Sequence, residues 1–594
     1  MRALAIMDTL RGITHNLRSQ STARPSGSEE TPILDDEFLR TIQRLLDAGE
    51  THMVSLSVSV GRGEIWTQHQ LKTMLRAGES AHADQLAVAE GEEILPIASI
   101  TKILVAVAVI LAIKGQPSKS AGPDLWANFR GMGHEPLSKL YNLPRKDRMD
   151  KTDSMGALAD DPTFFDFLVH RESLPSMNHR LLSPTGQPML LLSQLLDEIL
   201  GPISLSQNTT DSTGNTSKPT YSNINYSAIA LIVEALWDGT FENFMHTTLF
   251  GPLEMNSTSI GFPANSTRES HGWVVNSDSK QQRILRPRYR PDGAEAAALG
   301  AYSTVKDLDI FFKFISDSLY GKSSIDRAGA EFVRTVLELE NEETKYRPLG
   351  LYTALHSPEI GSLSINSRNY PKAQFSTYPV LPSQPEEELW TYYMGGTALG
   401  CSCATAFNPL EFLHSIVVLT DTSGPVDTAD HIMRLILRRL CYLRGVEGMP
   451  QNFPDPESVV REVQMAMTQT TKDWHGREAD DSKLIETALV VDKDLVGVYK
   501  GVGFSQWLVI DREDDGNTSI VVRGPSNNSS FDKLKLVWID DTRVKICVRP
   551  HLAVDTLTSC DWSNLVLKVR SQNRFVSELI RRTSTGEDRY LRQV

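Results

Sequence analysis

The chain has 594 residues, of which 40% are hydrophobic and 23% charged, the balance of a soluble globular protein. That length has room for about three to five domain-sized units. A net charge of -14, from 74 acidic against 60 basic residues, argues against nucleic acid as a partner, and no basic stripe interleaved with aromatics offsets it.

Residues 1–34 are polar, with Arg, Ser and Pro-Ser-Gly, and read as a flexible tail. Met1 to Ser26 has no apolar run of the about 7 to 15 residues that a secretory signal needs. Asp35 to Ala48 has the periodicity of an amphipathic helix, and Val54 to Val60 alternates apolar residues with serine as a strand does. The apolar run Ile103 to Ile113 falls short of the roughly 20 residues that span a bilayer. The expectation is a cytoplasmic protein with no membrane partner.

Ser99-Ile100-Thr101-Lys102 lies directly before that run and after Pro96. Residues three apart on a helix share a face, so a hydroxyl and an amine meet at the start of a buried helix. The helix dipole there favours an alkoxide, and a desolvated lysine can lose its proton near neutral pH and act as base. Ser99 is therefore a candidate nucleophile and Lys102 its base. The same residues also suit a plain helix cap with a snorkelling lysine. Ser277 to Lys280, Ser303 to Lys306 and Ser530 to Lys533 match S-x-x-K as well, without that setting.

Gly115 to Asp161 reads as irregular insertion loops. Residues 162–295 read as mainly helical, giving a helical insertion over about 115–295. Within it Tyr221-Ser222-Asn223 follows the polar stretch Ser204 to Thr220 and precedes the apolar segment Tyr226 to Trp237, as a loop opening into a helix. Sequons occur at Asn208, Asn256, Asn517 and Asn225, the last beside this loop.

Cys401 to Phe407, a turn at Asn408-Pro409 and Ser415 to Leu419 predict an antiparallel hairpin. His431 to Leu443 and Pro456 to Thr468 predict helices, and the charged Lys472 to Lys483 a linker. From about residue 490 short β-type runs follow one another: Trp507 to Ile510, Ser519 to Val522, Leu534 to Ile539, Val544 to Val548, Leu565 to Val569 and Phe575 to Ile580. This divides the chain into a tail (1–34), a main domain (35–470), a linker (471–489) and an all-β module (490–594). The five cysteines, Cys401, Cys403, Cys441, Cys547 and Cys560, are odd in number and lack C-x-x-C or Cys/His ligand spacing. They suggest neither a disulfide framework nor a metal, and no cofactor is expected.

Taken together, these motifs resemble the serine beta-lactamase-related family of class C type, which also contains penicillin-binding proteins, esterases, peptidases and acyltransferases. Ser99 to Lys102 and Tyr221 to Asn223 resemble its first two motifs. His170-Arg171-Glu172-Ser173-Leu174-Pro175 resembles its H-R-x-S-G-L-P loop, with the glycine missing. Phe250 to Met255 resembles its P-L-G-M turn, and Gly300 to Thr304 with Asp307-Leu308 its G-G-x-x-S-T-x-x-D-L segment. Met394-Gly395-Gly396-Thr397-Ala398-Leu399-Gly400 stands where the family carries H/K-T-G or H-G-G with a later glycine.

The resemblance implies an α/β (α+β) fold, an antiparallel sheet flanked by helices with a helical subdomain, followed by a C-terminal lipocalin-like barrel. It implies that Ser99 attacks an acyl carbonyl, Lys102 and Tyr221 share the proton traffic, and Asn223 orients the lysine and substrate. The backbone amides of Ser99 and Thr397 would hold the oxyanion, with Gly395 and Gly396 letting the strand approach. Met394 replaces the Lys or His of relatives that recognise a carboxylate, which points to a neutral ester, lactone or thioester, with Met394 lining an apolar pocket or packing in the core. The expected partner is a small acyl substrate, free or carrier-bound, as for relatives in fungal polyketide pathways. The alternative is a catalytically inactive binding or scaffold protein on the same fold.

Overall fold

In a computed structural model of the chain, the described residues are 32–62, 65–76, 91–114, 167–168, 170, 174, 177–195, 198–199, 221–237, 239–263, 271–319, 352–354, 364–366, 391–408, 413–444, 456–486, 494–502, 504–514, 517–524, 533–552, 566–572, 575–583 and 586–593. The helices in chain order are α1 (Asp36–Ala48), α2 (Thr101–Lys114), α3 (Asn178–Leu181), α4 (Asn223–Trp237), α5 (Phe241–Met245), α6 (Ala296–Leu299), α7 (Val305–Leu319), α8 (Thr428–Arg444) and α9 (Pro456–Glu486). The strands of the main domain are β1 (Met53–Arg62), β2 (Ile65–Leu75), β3 (Leu95–Pro96), β4 (Ser259–Ile260), β5 (His271–Val275), β6 (Gln281–Leu285), β7 (Ala301–Ser303), β8 (Tyr352–Ala354), β9 (Thr391–Ala398), β10 (Cys401–Asn408), β11 (Leu413–Thr420) and β12 (Thr422–Ser423).

The main sheet has six strands in the order β2-β1-β11-β10-β9-β8, antiparallel throughout. The hairpin expected over 401–419 is its β10–β11 pair. The helix α1 begins at Asp35, whose carboxylate accepts from the Phe38 amide at 2.8 Å. On β1 the apolar Val54, Leu56, Val58 and Val60 are buried, and so are the alternating Ser55, Ser57 and Ser59. Both faces are covered, and two of the three hydroxyls find partners there: Ser55 donates to Glu93 at 2.6 Å, and Ser59 to Asp309 on α7 at 2.6 Å. Helix α2 is apolar around its whole circumference, and its residues 101–113 are all buried, which makes it the central helix of the core.

Two short sheets flank it. The sheet β3-β7-β4 braces the chain just before α2, and β12-β5-β6 includes a parallel β12–β5 pair.

Beyond the main domain, β13 (Gly497–Gly501), β14 (Trp507–Arg512), β15 (Thr518–Arg523), β16 (Leu534–Asp540), β17 (Arg543–Cys547), β18 (Val566–Gln572), β19 (Phe575–Thr583) and β20 (Gly586–Arg592) form a closed eight-stranded barrel. Each strand pairs antiparallel with the next, and β20 returns to β13. The described residues thus form an antiparallel sheet flanked by helices and followed by a C-terminal barrel, the architecture the resemblance implied.

Four expectations are corrected. Ile33 and Leu34, assigned to the flexible tail, are buried, and the Leu34 amide donates to Gln70 at 2.9 Å. The segment read as mainly helical up to residue 295 contains β4, β5 and β6; His271-Gly-Trp-Val-Val buries its β-branched end against β12. Lys472 to Lys483, read as a linker, is the second half of the 31-residue α9. Its buried stripe, Val459, Val463, Met467, Thr471 and Trp474, runs at helical spacing past the point where charge begins to dominate the other face. Strand β20 was missed because Glu587-Asp588-Arg589 carries no apolar alternation. The loops over Gly115 to Asp161 lie outside the described residues.

Candidate active site

Ser99 stands in a 3₁₀ turn, Ala98–Ile100, that runs directly into α2. Ala98 takes φ +43°, a left-handed conformation that costs an L-residue about 1–2 kcal/mol. The turn is held from three sides. The Ile97 amide donates to the Ala301 carbonyl at 3.0 Å, the Ile100 amide to the Ile97 carbonyl at 3.0 Å, and the buried Cys403 thiol to the Ile97 carbonyl at 3.0 Å. The G-x-x-S-T-like segment therefore acts through its backbone. Its β7 braces the Ser99 turn, and the Ala301 amide donates to the Thr101 hydroxyl at 3.1 Å.

One helical turn on, the Lys102 amine donates to Ser99 Oγ at 3.2 Å and to the Ala298 carbonyl of α6 at 2.5 Å. Lys102 is fully buried, and burial pushes its pKa well below the usual lysine range. The Tyr221 hydroxyl lies 2.7 Å from Ser99 Oγ, and the amine stands 4.8 Å from the centre of the Tyr221 ring. Ser99, Lys102 and Tyr221, 122 positions apart at the extremes, meet at one oxygen.

Tyr221 is fixed from behind by His170, whose ring packs on it at 4.8 Å and on Tyr226 at 5.5 Å. The Ser222 amide donates to His170 Nδ1 at 3.3 Å. Burial, helped by the Lys102 charge, lowers the His170 pKa to about 3, so the imidazole is neutral. Asn225 is fully buried at the same place: its Oδ1 accepts from the Leu174 amide at 2.9 Å and its Nδ2 donates to the Phe167 carbonyl at 3.4 Å. The sequence showed only a sequon there; the other signal was its place two residues after the Tyr-Ser-Asn triplet. In the H-R-x-S-like loop, residues 171–173 lie outside the described residues.

Asn223 is buried at the first position of α4, but its amide nitrogen donates to Asn178 Oδ1 at 2.9 Å and not to a group on Lys102. Its Oδ1 is buried without a hydrogen-bond partner. The group holding Lys102 is instead the Ala298 carbonyl, which sequence reading missed because a backbone oxygen leaves no mark in the residue type.

Across the cleft, β9 pairs with β10 along 392–398, while β8 covers it only at 391–393. The Ser99 turn packs against the remainder. Gly396, opposite Cys403 in register, meets the Ser99 backbone there, and Gly395, Gly396 and Thr397 are partly exposed as Ser99 and Tyr221 are. Met394, by contrast, is fully buried in the core. Of the two readings given for Met394, an apolar pocket or packing in the core, its burial in the core cluster favours the second.

Of the other S-x-x-K matches, Ser277 donates to Glu478 at 2.5 Å, and Lys306 turns outward to Glu92 at 2.8 Å. Ser530 lies outside the described residues. Among the described residues, no three His, Cys, Asp or Glu side chains are grouped to hold a metal, and no helix is long and apolar enough to cross a membrane.

A family model described as Beta-lactamase matches residues 205–438, which include Tyr221, Asn223 and the 394–400 strand but not Ser99. No curated protein matches the chain. Among solved structures it is similar to the octameric penicillin-binding protein homologue from Pyrococcus abyssi, at 13% identity over 93% of this chain and 99% of that one, TM-score 0.46. It is also similar to SurE, at 12% identity over 93% and 98%, TM-score 0.43. A third is the class C beta lactamase from Rhodobacter sphaeroides, at 15% identity over 68% and 98%, TM-score 0.45.

Proposed function

We propose that this chain, whose residues 205–438 match a family model described as Beta-lactamase, is an enzyme that works through a covalent acyl-Ser99 intermediate. The observation that carries it is the meeting of the Tyr221 hydroxyl and the buried Lys102 amine at Ser99 Oγ, at 2.7 and 3.2 Å. Oγ bonds to the acyl carbon as its proton passes to the neutral amine. Tyr221 relays a proton to the departing group as the carbon–leaving-group bond breaks. Water, an alcohol or an amine then attacks the acyl carbon, returning Ser99 to its hydroxyl form. The amides of Ser99 and Thr397 are proposed to hold the oxyanion, a contribution of about 2.7–4 kcal/mol for each such donor.

The proposed substrate is a neutral ester, lactone or thioester, carrier-bound thioesters included. An uncharged Met394 sealed in the core means β9 offers no cation to a substrate carboxylate at that position. A cytoplasmic setting is proposed on the free thiols of Cys401, Cys403 and Cys547.

The test is intact-protein mass spectrometry after exposure to short nitrophenyl esters, acyl thioesters and a fluorophosphonate. An adduct on Ser99, absent in Ser99→Ala together with a loss of about 10⁶ in turnover, supports the enzyme. No adduct across the whole panel leaves the inactive binding scaffold.

A further inference from the structure

The barrel touches the main domain at the short helix that carries Asn178. Three barrel residues hold that helix. On β20, Asp588 accepts from Arg180 at 2.7 Å and lies 3.2 Å from His179 Nε2. The Gln506 amide donates to the His179 carbonyl at 3.2 Å, and the Tyr590 hydroxyl donates to Gln506 Oε1 at 2.6 Å. All of these are buried or nearly so. Arg180 also spans to the Glu198 carbonyl at 2.8 Å and lies over the Phe504 ring at 4.3 Å, while the Ser505 amide donates to the Glu198 carboxylate.

The fit is close at a second point. A Cβ at Gly524, at the end of β15, would stand 2.0 Å from the Met189 carbonyl, so the barrel backbone and the 188–192 segment are in direct contact.

Asn178 lies one residue before His179, and its Oδ1 holds the Asn223 amide at 2.9 Å, two residues from Tyr221. Ion pairs and hydrogen bonds thus tie β20 to α3, and the α3 backbone with the Asn178–Asn223 bond ties α3 to the start of α4. Burial works to raise the Asp588 pKa, but the His179 bond and the Arg180 charge outweigh it and keep the carboxylate ionised. Burial and the Arg581 charge lower His179 to about 4, so the contact is carboxylate against neutral imidazole and guanidinium.

We propose that Asp588, in the C-terminal barrel, is a positioning residue for the Ser99 site, acting through α3 and the Asn178–Asn223 bond on the loop that presents Tyr221. The inference rests on the acyl-Ser99 reading. It gives the barrel a part in the chemistry without any contact with substrate.

The test uses the full chain and a nitrophenyl ester or fluorophosphonate that acylates the wild type. Asp588→Asn keeps the shape and removes the charge. Its acylation rate constant should fall by about 10- to 100-fold, since a shift near 1 Å can cost about 10². The burst amplitude, which counts competent sites, and KM should stay near wild type. Asn178→Ala should fall similarly, and the double variant should lose no more than either alone, because both act on one line. Lys533→Gln, at an exposed pair with Glu513, should match wild type.

The proposal is overturned by a wild-type rate constant in Asp588→Asn. It is also overturned by a fall confined to burst amplitude, which is loss of folded protein, or by losses that simply add in the double variant. Should Asp588→Asn fail to fold, Tyr590→Phe and Gln506→Met carry the same rate measurement. Failure of the wild type itself to acylate overturns the site reading first and is seen before any barrel variant is made.

Discussion

The Gly396 Cα lies so close to the Ser99 backbone that a Cβ added to it would stand 2.7 Å from the Ser99 amide nitrogen and 2.9 Å from the Ala98 methyl. Its neighbour Gly395 has no such constraint, for a Cβ there would meet only the Cys403 carbonyl, at 3.5 Å. The two glycines of the pair therefore do different work. Gly396→Ala should push the nucleophile turn off β9 and lower acylation by about 10²–10³, the loss that follows removal of one oxyanion donor, while Gly395→Ala should stay within a few-fold of wild type. Stopped-flow acylation of the two variants checks this.

Lys102 ties activity to stability with opposite signs. Its folded pKa lies below the unfolded value of about 10.4, so between the two the unfolded chain holds the extra proton and stability climbs as pH rises toward about 10.4. Lys102→Met should raise the unfolding midpoint at neutral pH, flatten that slope and cut acylation by about 10²–10⁴. Denaturant melts of both proteins at several pH values give the comparison.

Glu295 behaves in the reverse sense. It is buried next to α6, and burial pushes its carboxyl from 4.5 up to about 8. Between those values the folded chain keeps a proton that the unfolded chain has released, so stability falls as pH rises through the window. Glu295→Gln should remove this fall and be more stable than wild type above pH 8, seen as a raised melting temperature at pH 9 but not at pH 5.

Glu254 takes φ +57° in the turn closed by the Met255 amide on the Phe250 carbonyl at 2.9 Å, at the position where the resembling P-L-G-M turn has glycine. The side chain is exposed and makes no use of the strain. Glu254→Gly should stabilise by about 0.5–1 kcal/mol, read from urea midpoints with acylation unchanged.

What could be read from the residues alone follows a physical divide. Ser99, Lys102 and Tyr221 were legible because their chemistry lies in side chains at short, fixed spacings beside strong apolar runs. The sheet hairpin and most barrel strands were legible for the same reason, since alternation survives in the sequence. The Ala298 carbonyl and the contact of Gly396 with Ser99 were not, because they depend on where backbone from distant segments comes to rest. Asn178 was invisible in another way: a lone asparagine before His-Arg-Leu has no pattern, and its importance comes from Asn223 being 45 positions away in sequence yet bonded to it. Met394 shows the limit of reading substitutions, since an uncharged residue suits a pocket and a core equally until its surroundings are known. The second half of α9 was hidden by charge, because composition is averaged along the chain whereas a helix sorts it by face.

The barrel is joined to itself by β20, which pairs with both β19 and β13. On the ribosome, then, seven strands emerge as an open sheet whose two free edges can each recruit a foreign strand, until residues 586–592 arrive to seal them. A chain lacking that stretch would still carry Ser99, Lys102 and Tyr221 but would present an unsealed module with both edges exposed.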